Sequence, residues 1–222
     1  MTTTKATTKA TAKAKTSAHA KAKRALTKAD PVLARHMAKV GPYKINQNDV
    51  ANLYETLAEA IIYQQLHAKA AATIFGRLKA LGGAQGFPSP QALLALDDTV
   101  IRGAGVSNAK MRAIRDLAAK QHAGELPSID EARALDDAVL IERLTAVRGI
   151  GPWTVEMLLI FRLGRGDVLP ATDYGVRQGF QKVFRTNALP TPRQILDRGE
   201  RWRPYRTMAA WYLWRALDLG KT

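Results

Sequence analysis

Residues 147–154 join two apolar segments through a short glycine-rich turn, which limits how these segments can fold. Gly149 and Gly151 flank one apolar residue, Ile150, so the backbone can turn tightly while Ile150 anchors the turn against a core. Pro152 is favoured at the first position of a helix, whose N-terminus attracts anions. The sequence therefore predicts two helices joined by a turn whose open amides bind phosphate. Because such triplets also end ordinary helices, the turn alone leaves a purely structural role open.

Helix caps and apolar spacing predict helices along the chain from Asp30 onward, and no segment alternates convincingly as a strand does. This pattern predicts an all-α fold of two helical lobes, with a cleft between the lobes for an active site. The predicted helices are Asp30 to Gly41, Asp49 to Gln65, His67 to Leu81, a short helix from Ser89, Ser107 to Gln121, a helix from Ser128, Asp136 to Val147, Pro152 to Leu163, Asp173 to Phe184, Pro192 to Trp202 and Tyr205 to Leu217.

The N-terminal residues 1–29 have a low-complexity composition of Thr, Lys and Ala. Such a composition predicts a disordered tail, followed by one folded domain at residues 30–222. Residues 1–28 hold seven lysines and Arg24 but no acidic residue, which is +8 of the net charge of +15. The rest of the chain has 26 basic and 19 acidic side chains, so both parts favour a polyanion. The tail is interpreted as a mobile DNA-binding arm; the alternative is a solubilising extension.

Composition also excludes several classes of protein. The chain has no cysteine, which excludes disulfides, thiolate zinc sites and iron–sulfur clusters. Its apolar stretches are too short to span a bilayer and no signal peptide is evident, so we expect an intracellular protein of the bacterial cytoplasm or nucleoid, or of the nucleus. No metal is expected, because the four histidines have no ligand spacing: His19, His36, His67 and His122.

Asp173 lies at the predicted first turn of a helix, 20 residues beyond Trp153. An N-cap is the plain structural interpretation. The same helix dipole and free amides would keep the carboxylate ionised, and a persistent anion stabilises an oxocarbenium-like sugar transition state. Asp167 and Glu156 are the neighbouring alternatives, the first expected in a solvated turn and the second on a helix flank.

The aromatic residues cluster in the C-terminal half, and most are expected in the core. Trp153 and Trp214 are the stronger candidates for ligand contact. An electron-rich aromatic site would select a cationic alkylated base through stacking and cation–π attraction, worth about 0.5 to 2 kcal/mol per ring.

Five segments of the chain follow the order of one enzyme family. Over residues 30–218 the chain resembles the AlkA-like DNA-3-methyladenine glycosylases II of the helix-hairpin-helix superfamily. The five segments are AIIYQQLHAKAAATIF (60–75), GVSNAKMRAIRDLA (105–118), LTAVRGIGPWTVEMLLIF (144–161), VLPATDYGVRQGF (168–180) and RWRPYRTMAAWYLWRAL (201–217).

The resemblance implies a role for each matched residue. Asp173 matches the catalytic aspartate, and the base pocket is expected to contain Trp153, Trp214, Met157 and Tyr174. The expected DNA-binding residues are Arg148, Gly149, Ile150 and Gly151 of the hairpin, Lys110, and Gln65 and Leu66, one of which would insert into the duplex. No cofactor is implied beyond a monovalent cation held by hairpin carbonyls when DNA is bound.

The chain also departs from the family pattern. His67 stands at a position commonly serine, and Met157 replaces a pocket tyrosine. No counterpart of AlkA's additional N-terminal β-domain is expected, because the chain before residue 30 is interpreted as a tail. Related bifunctional enzymes form a Schiff base with a lysine at the position of Trp153, so a monofunctional enzyme is expected.

The resulting expectation is a monomeric glycosylase that flips alkylated purines, such as 3-methyladenine or 7-methylguanine, out of double-stranded DNA and hydrolyses the N-glycosidic bond. The alternatives are a non-catalytic helix-hairpin-helix DNA-binding protein and a glycosylase for uncharged damaged bases.

Overall fold

The computed structural model describes residues 17–46 and 50–219, and the regular structure in these ranges is entirely helical. The predicted all-α fold is therefore confirmed for the described residues. Thirteen α-helices follow one another there: α1 (residues 17–29), α2 (Pro31–Val40), α3 (Leu53–Tyr63), α4 (Ala68–Ala80), α5 (Pro90–Ala95), α6 (Asp98–Gly103), α7 (Asn108–His122), α8 (Ile129–Ala134), α9 (Asp137–Thr145), α10 (Pro152–Phe161), α11 (Tyr174–Phe184), α12 (Pro192–Gly199) and α13 (Arg206–Arg215).

The chain divides into two compact units. The first comprises Met1–Gln47 and Leu159–Thr222, and the second comprises Asn48–Leu158. No helix in the described ranges is long and apolar enough to cross a membrane.

Residues 17–29 form helix α1, so the prediction of a disordered tail up to residue 29 is wrong for this part. Ala22 and Leu26, four residues apart on one helix face, are buried in the core of the first unit. Alanine and lysine also favour helix intrinsically, which a low-complexity interpretation overlooks. The folded part thus begins before residue 30, and residues 1–16 lie outside the described residues.

A buried carboxylate organises the first unit. Asp30 caps α2 and accepts hydrogen bonds from both Arg198 (2.9 and 3.0 Å) and the Trp202 indole N–H (3.1 Å). Burial alone would raise the pKa of Asp30, but these donors and the Leu33 amide lower it below its ordinary value. The Asp30-Pro31 cap and the Gly41 end predicted for α2 are confirmed.

Helix α7 is central to the second unit, where it packs mainly against α3 and α5. The predicted serine caps of α5, α7 and α8 are confirmed. Helix α3 begins after Asn52, whose side chain accepts from the Glu55 amide, rather than at Asp49, which lies outside the described residues. Helix α6 was not predicted, because a helix of 6 residues is too short to show a period.

Candidate active site and DNA-binding hairpin

Asp173 stands at the N-terminus of α11 with two donors on one carboxylate oxygen. Its Oδ1 accepts the Val176 amide at 2.7 Å and the Trp214 indole N–H at 2.7 Å. The first bond confirms the N-cap interpretation, and the second attaches the carboxylate to α13. The carboxylate is half-buried, and these two hydrogen bonds hold it in one orientation.

Two glycines of α11 let α13 approach closely enough for this contact. A Cβ at Gly179 would lie 2.0 Å from the Leu213 carbonyl oxygen, which is backbone of α13. A Cβ at Gly175 would lie 3.0 Å from Trp214 Cδ1 and 3.1 Å from Asp173 Oδ1. Gly179 therefore needs glycine for space, whereas a Cβ at Gly175 would require its neighbours to shift by a few tenths of an ångström. Sequence reasoning missed them, and their spacing of four residues on one helix face was the available signal.

Phe161 is a further aromatic neighbour that sequence reasoning missed. Its ring stacks on Trp214 with centroids 5.8 Å apart and planes inclined by 27°. Tyr174, the first residue of α11, is 62% exposed and available to a ligand. Trp214, with Asp173 on its indole N–H and Phe161 on its face, is the side chain most firmly placed beside the carboxylate.

Helix α10 carries the other expected base-pocket residues. Trp153 is 46% exposed and Met157 is partly buried. With Phe161 they follow a spacing of four residues, which places all three on one helix face. Whether Trp153 and Met157 join Asp173 in one base pocket stays a prediction.

The two alternative carboxylates have different surroundings. Both oxygens of Asp167 are bound by arginines: Arg206 Nε reaches Oδ1 at 2.7 Å, and Arg203 reaches Oδ2 at 2.8 Å. Asp167 is thus partly buried and forms ion pairs with two arginines. The expectation that Asp167 lies in a solvated turn is corrected in this respect. Glu156 lies partly buried on α10. Of these three carboxylates, Asp173 is the one that combines an N-cap position with a hydrogen bond from an indole, a combination that the buried Asp30 shares.

The glycine-rich turn forms between α9 and α10 as predicted. Ile150 is 4% exposed, and its amide donates to the Val147 carbonyl at 3.0 Å. Gly149 has φ +79°, a left-handed conformation that favours glycine. Gly151 lies outside that region, and a Cβ there would meet nothing within 4 Å. Packing among the described residues therefore does not require glycine at position 151, and the open space there leaves room for an external group to approach the backbone.

The amides of this turn divide into used and open donors. The Arg148 amide donates to Asp116 Oδ2 at 2.7 Å, while the Arg148 side chain is exposed. Within the described residues, no hydrogen bond uses the amides of Gly149 or Gly151. These two donors, with the N-terminus of α10 beside them, can bind an anion such as phosphate.

Two residues of helix α7 contact the glycine-rich turn. Asp116 accepts a hydrogen bond from the Arg148 amide. A Cβ added at Gly149 would lie 3.2 Å from the Cβ of Ala113. Sequence reasoning missed both residues. Only the tertiary arrangement reveals them, because they lie more than 30 positions away from the turn.

Residues 64–67 form an exposed loop between α3 and α4, which we call the wedge loop. Gln65 has φ +55°, and Leu66 is 39% exposed. Gln64 Nε2 donates to the Gly149 carbonyl at 2.8 Å. His67 is exposed at the start of α4 and makes no side-chain cap.

Lys110 lies beside the wedge loop. Its ammonium group donates to the carbonyls of Ile62 (2.7 Å) and Gln64 (2.8 Å), and burial lowers the pKa of this lysine. A direct contact of Lys110 with DNA stays a prediction, but two of its three donors already bind the end of α3.

The exposed hairpin and the aspartate at a helix N-terminus define a helix-hairpin-helix protein with a carboxylate site. The chain matches the family model described as HhH-GPD superfamily base excision DNA repair protein over residues 58–204. The chain belongs to this superfamily, and the resemblance seen in the sequence is confirmed.

Relatives support the same assignment. The chain is 40% identical to DNA-3-methyladenine glycosylase 1 of Schizosaccharomyces pombe over 204 residues, which cover 88% of this chain and 90% of that protein. The solved structure of the S. pombe enzyme, in complex with abasic DNA, has a TM-score of 0.78 and covers 90% of this chain and 98% of its own. A DNA-3-methyladenine glycosidase from Bacillus halodurans has 32% identity and a TM-score of 0.78, with 88% of each chain covered.

Proposed function

We propose that this chain is a DNA glycosylase that removes alkylated purines, of the 3-methyladenine and 7-methylguanine type, from double-stranded DNA. The observation that carries the proposal is the carboxylate of Asp173, held on one oxygen by the Val176 amide and the Trp214 indole. Relatives named for 3-methyladenine support the substrate class.

The reaction needs little acid catalysis. An alkylated purine carries a positive charge, so it leaves with the electron pair of its bond to C1′ and departs neutral. The sugar then develops oxocarbenium character, which the Asp173 anion stabilises. Water adds its oxygen to C1′, and Asp173 accepts or guides the proton that it loses. The product is an abasic site in an intact strand.

The flipped base stacks among aromatic side chains. Trp214 is fixed in place by Asp173 and Phe161. The exposed rings of Trp153 and Tyr174 are proposed to supply further π-faces, and Met157 is the fourth residue of the proposed base pocket. Such faces favour a cationic base over a neutral one. This preference favours the alkylated-purine proposal over a glycosylase for uncharged damaged bases.

The enzyme is proposed to be monofunctional and to act as a monomer. Strand cleavage would need an amine that attacks C1′, and the matching position is occupied by Trp153, whose indole nitrogen is not nucleophilic.

The hairpin and the wedge loop are proposed to hold the duplex. Gly149 and Gly151 present open amides to one phosphate, and Arg148 adds a charge. Leu66, an exposed apolar side chain on the wedge loop, is the residue we propose to fill the gap left by the flipped base; Gln65 is the alternative. A monovalent cation is proposed only in the DNA complex. The Gly149 and Gly151 carbonyls each already accept at least one hydrogen bond within the chain. Only the remaining lone pairs of these oxygens could therefore bind the cation.

The decisive experiment measures single-turnover base release from duplexes that each contain one defined lesion. We expect release of 3-methyladenine and 7-methylguanine above the spontaneous rate, with intact strands and no borohydride-trapped adduct. Binding without release of any base would identify a non-catalytic DNA-binding protein instead. A trapped adduct that disappears when one lysine is replaced would contradict the monofunctional mechanism.

A further inference from the structure

The wedge loop and the hairpin are physically joined, although 85 residues separate Gln64 from Gly149. Gln64 donates its amide N–H to the Gly149 carbonyl at 2.8 Å, at the residue whose left-handed backbone makes the turn. The first residue of the loop is thus hydrogen-bonded to the turn itself.

Lys110 fixes the other side of the same loop. Its ammonium group bridges the carbonyls of Ile62, in the last turn of α3, and of Gln64. A cation is favourable at the C-terminus of a helix, where carbonyls lack partners.

Helix α7 is the common support of both elements. Lys110, Ala113 and Asp116 follow at intervals of three residues, and they meet the α3 end, Gly149 and the Arg148 amide respectively. The loop and the hairpin therefore both contact one helix of the second unit, α7.

We propose that Gln64 and Lys110 are positioning residues that fix the wedge loop to the hairpin, so that phosphate binding by the hairpin sets the register at which Leu66 enters the duplex. This inference rests on the proposed function. It assigns Lys110 a role through the loop instead of a direct phosphate contact.

The test compares binding to an undamaged duplex with binding to the same duplex containing a tetrahydrofuran abasic site, which needs no catalysis. Gln64→Met and Lys110→Met remove donors at nearly constant volume. We expect each to weaken binding to the abasic duplex about five- to tenfold, the effect of one or two hydrogen bonds, and to change binding to the undamaged duplex less than about twofold. The fluorescence of a 2-aminopurine beside the abasic site, which reports unstacking by the wedge, should change less than with the wild type.

A double-mutant cycle separates positioning from general stability. In a Leu66→Ala background, each donor substitution should cost less than about twofold, because the side chain to be positioned is gone. Lys110→Arg keeps the charge and the donors and should restore most of the abasic preference. Lys182→Met, an exposed lysine on α11, is the matched control for loss of one charge.

Three outcomes would overturn the proposal. These are equal losses on both duplexes, an undiminished effect in the Leu66→Ala background, and wild-type abasic preference in Gln64→Met. If Lys110→Met does not fold, the partly exposed Gln64 still completes the cycle alone. Failure of base release by the wild type would contradict the proposed function, whereas the binding comparison would still report on the coupling.

Discussion

The region around Asp173 and the region around the hairpin are built in opposite ways. Asp173 is held by side-chain and cap hydrogen bonds, and two glycines bring a neighbouring helix close to it. The hairpin instead exposes backbone amides, and the missing side chain of Gly151 leaves open space beside them. The first region has one negative charge in a fixed orientation, and the second has open donors for an anion.

This difference separates two kinds of substitution. Changes around Asp173 should alter the rate of base release at saturating enzyme, because the proposed mechanism places that charge beside the developing sugar cation. Changes in the hairpin should alter duplex affinity and leave the chemical step unchanged, because backbone contacts position the duplex without reading its bases.

The largest effect is expected from Asp173→Asn. Asparagine keeps the volume and can still cap α11, but it removes the charge. We expect base release to fall by about a hundredfold or more, with abasic-duplex affinity nearly unchanged. Single-turnover rates, corrected for spontaneous depurination, measure this.

The matched control is Asp97→Asn, at the exposed N-cap position of α6, which should react at the wild-type rate. Asp167 is unsuitable as a control because its carboxylate pairs with Arg203 and Arg206. Retention of more than about a tenth of the wild-type rate by Asp173→Asn would leave a barrier change under ~1.4 kcal/mol and remove Asp173 from the mechanism.

A smaller effect on rate is expected from Gly175→Ala. The added Cβ would lie within 3.3 Å of Trp214 Nε1 and 3.1 Å of Asp173 Oδ1, so the bond between them must shift. We expect a loss of about tenfold in rate, since small misplacements of reacting groups are costly, and little loss of duplex affinity.

The control is Gly76→Ala on α4, where a Cβ meets nothing within 4 Å. It should raise stability by about 0.5–1 kcal/mol without affecting the rate. An unchanged rate in Gly175→Ala would mean that the orientation fixed by Trp214 is not required for base release.

The sequence predicted the parts of this site that depend on local signals. Asp173 at a helix start, and Gly149 with Ile150 in a tight turn, follow from caps and turn chemistry that neighbouring residues determine. Helix α1 was not predicted, because the low-complexity composition of residues 1–29 is typical of a disordered segment. The spacing of Ala22 and Leu26 indicates a helix only once both residues are known to pack into the core.

The supporting residues could not be predicted in this way. Gly175 and Phe161 matter because of contacts with Trp214, and Asp116 and Gln64 because of contacts with the hairpin. These contacts join positions at least 32 residues apart, so a local pattern such as the spacing of Gly175 and Gly179 does not show which partner each residue contacts. Tertiary packing also explains why Asp167, expected in solvent, is an ion-pair residue.

The hairpin side of the comparison is tested by Gly151→Ala. Its backbone angle suits alanine and its Cβ would meet no atom of the chain, so we expect no loss of stability. The methyl group would stand where a phosphate approaches, and duplex affinity should fall about fivefold for damaged and undamaged DNA alike. Binding titrations and thermal unfolding measure the two quantities.

Gly149→Ala provides the contrast within the same turn. With φ +79° and Ala113 at 3.2 Å from the new Cβ, it should lower the free energy of unfolding by about 1–2 kcal/mol. Wild-type affinity in Gly151→Ala would show that the open amides do not meet DNA, and the contrast between the two regions would disappear.

The smallest effect is expected from residues 1–16, which contain four of the lysines. Each lysine that neutralises a phosphate contributes about 0.9 to the slope of log affinity against log salt, so deletion of residues 1–16 should reduce that slope by at most about 3.6. The rate of base release at saturating enzyme should not change.

Deletion up to residue 28 is a poor test, because it removes Ala22 and Leu26 from the core. Replacing the four lysines with glutamine in the full-length chain is the matched variant, and it should reproduce the reduced slope if charge is the cause. Equal slopes for the wild type and both variants would identify the segment as a solubilising extension and leave DNA binding to the rest of the chain.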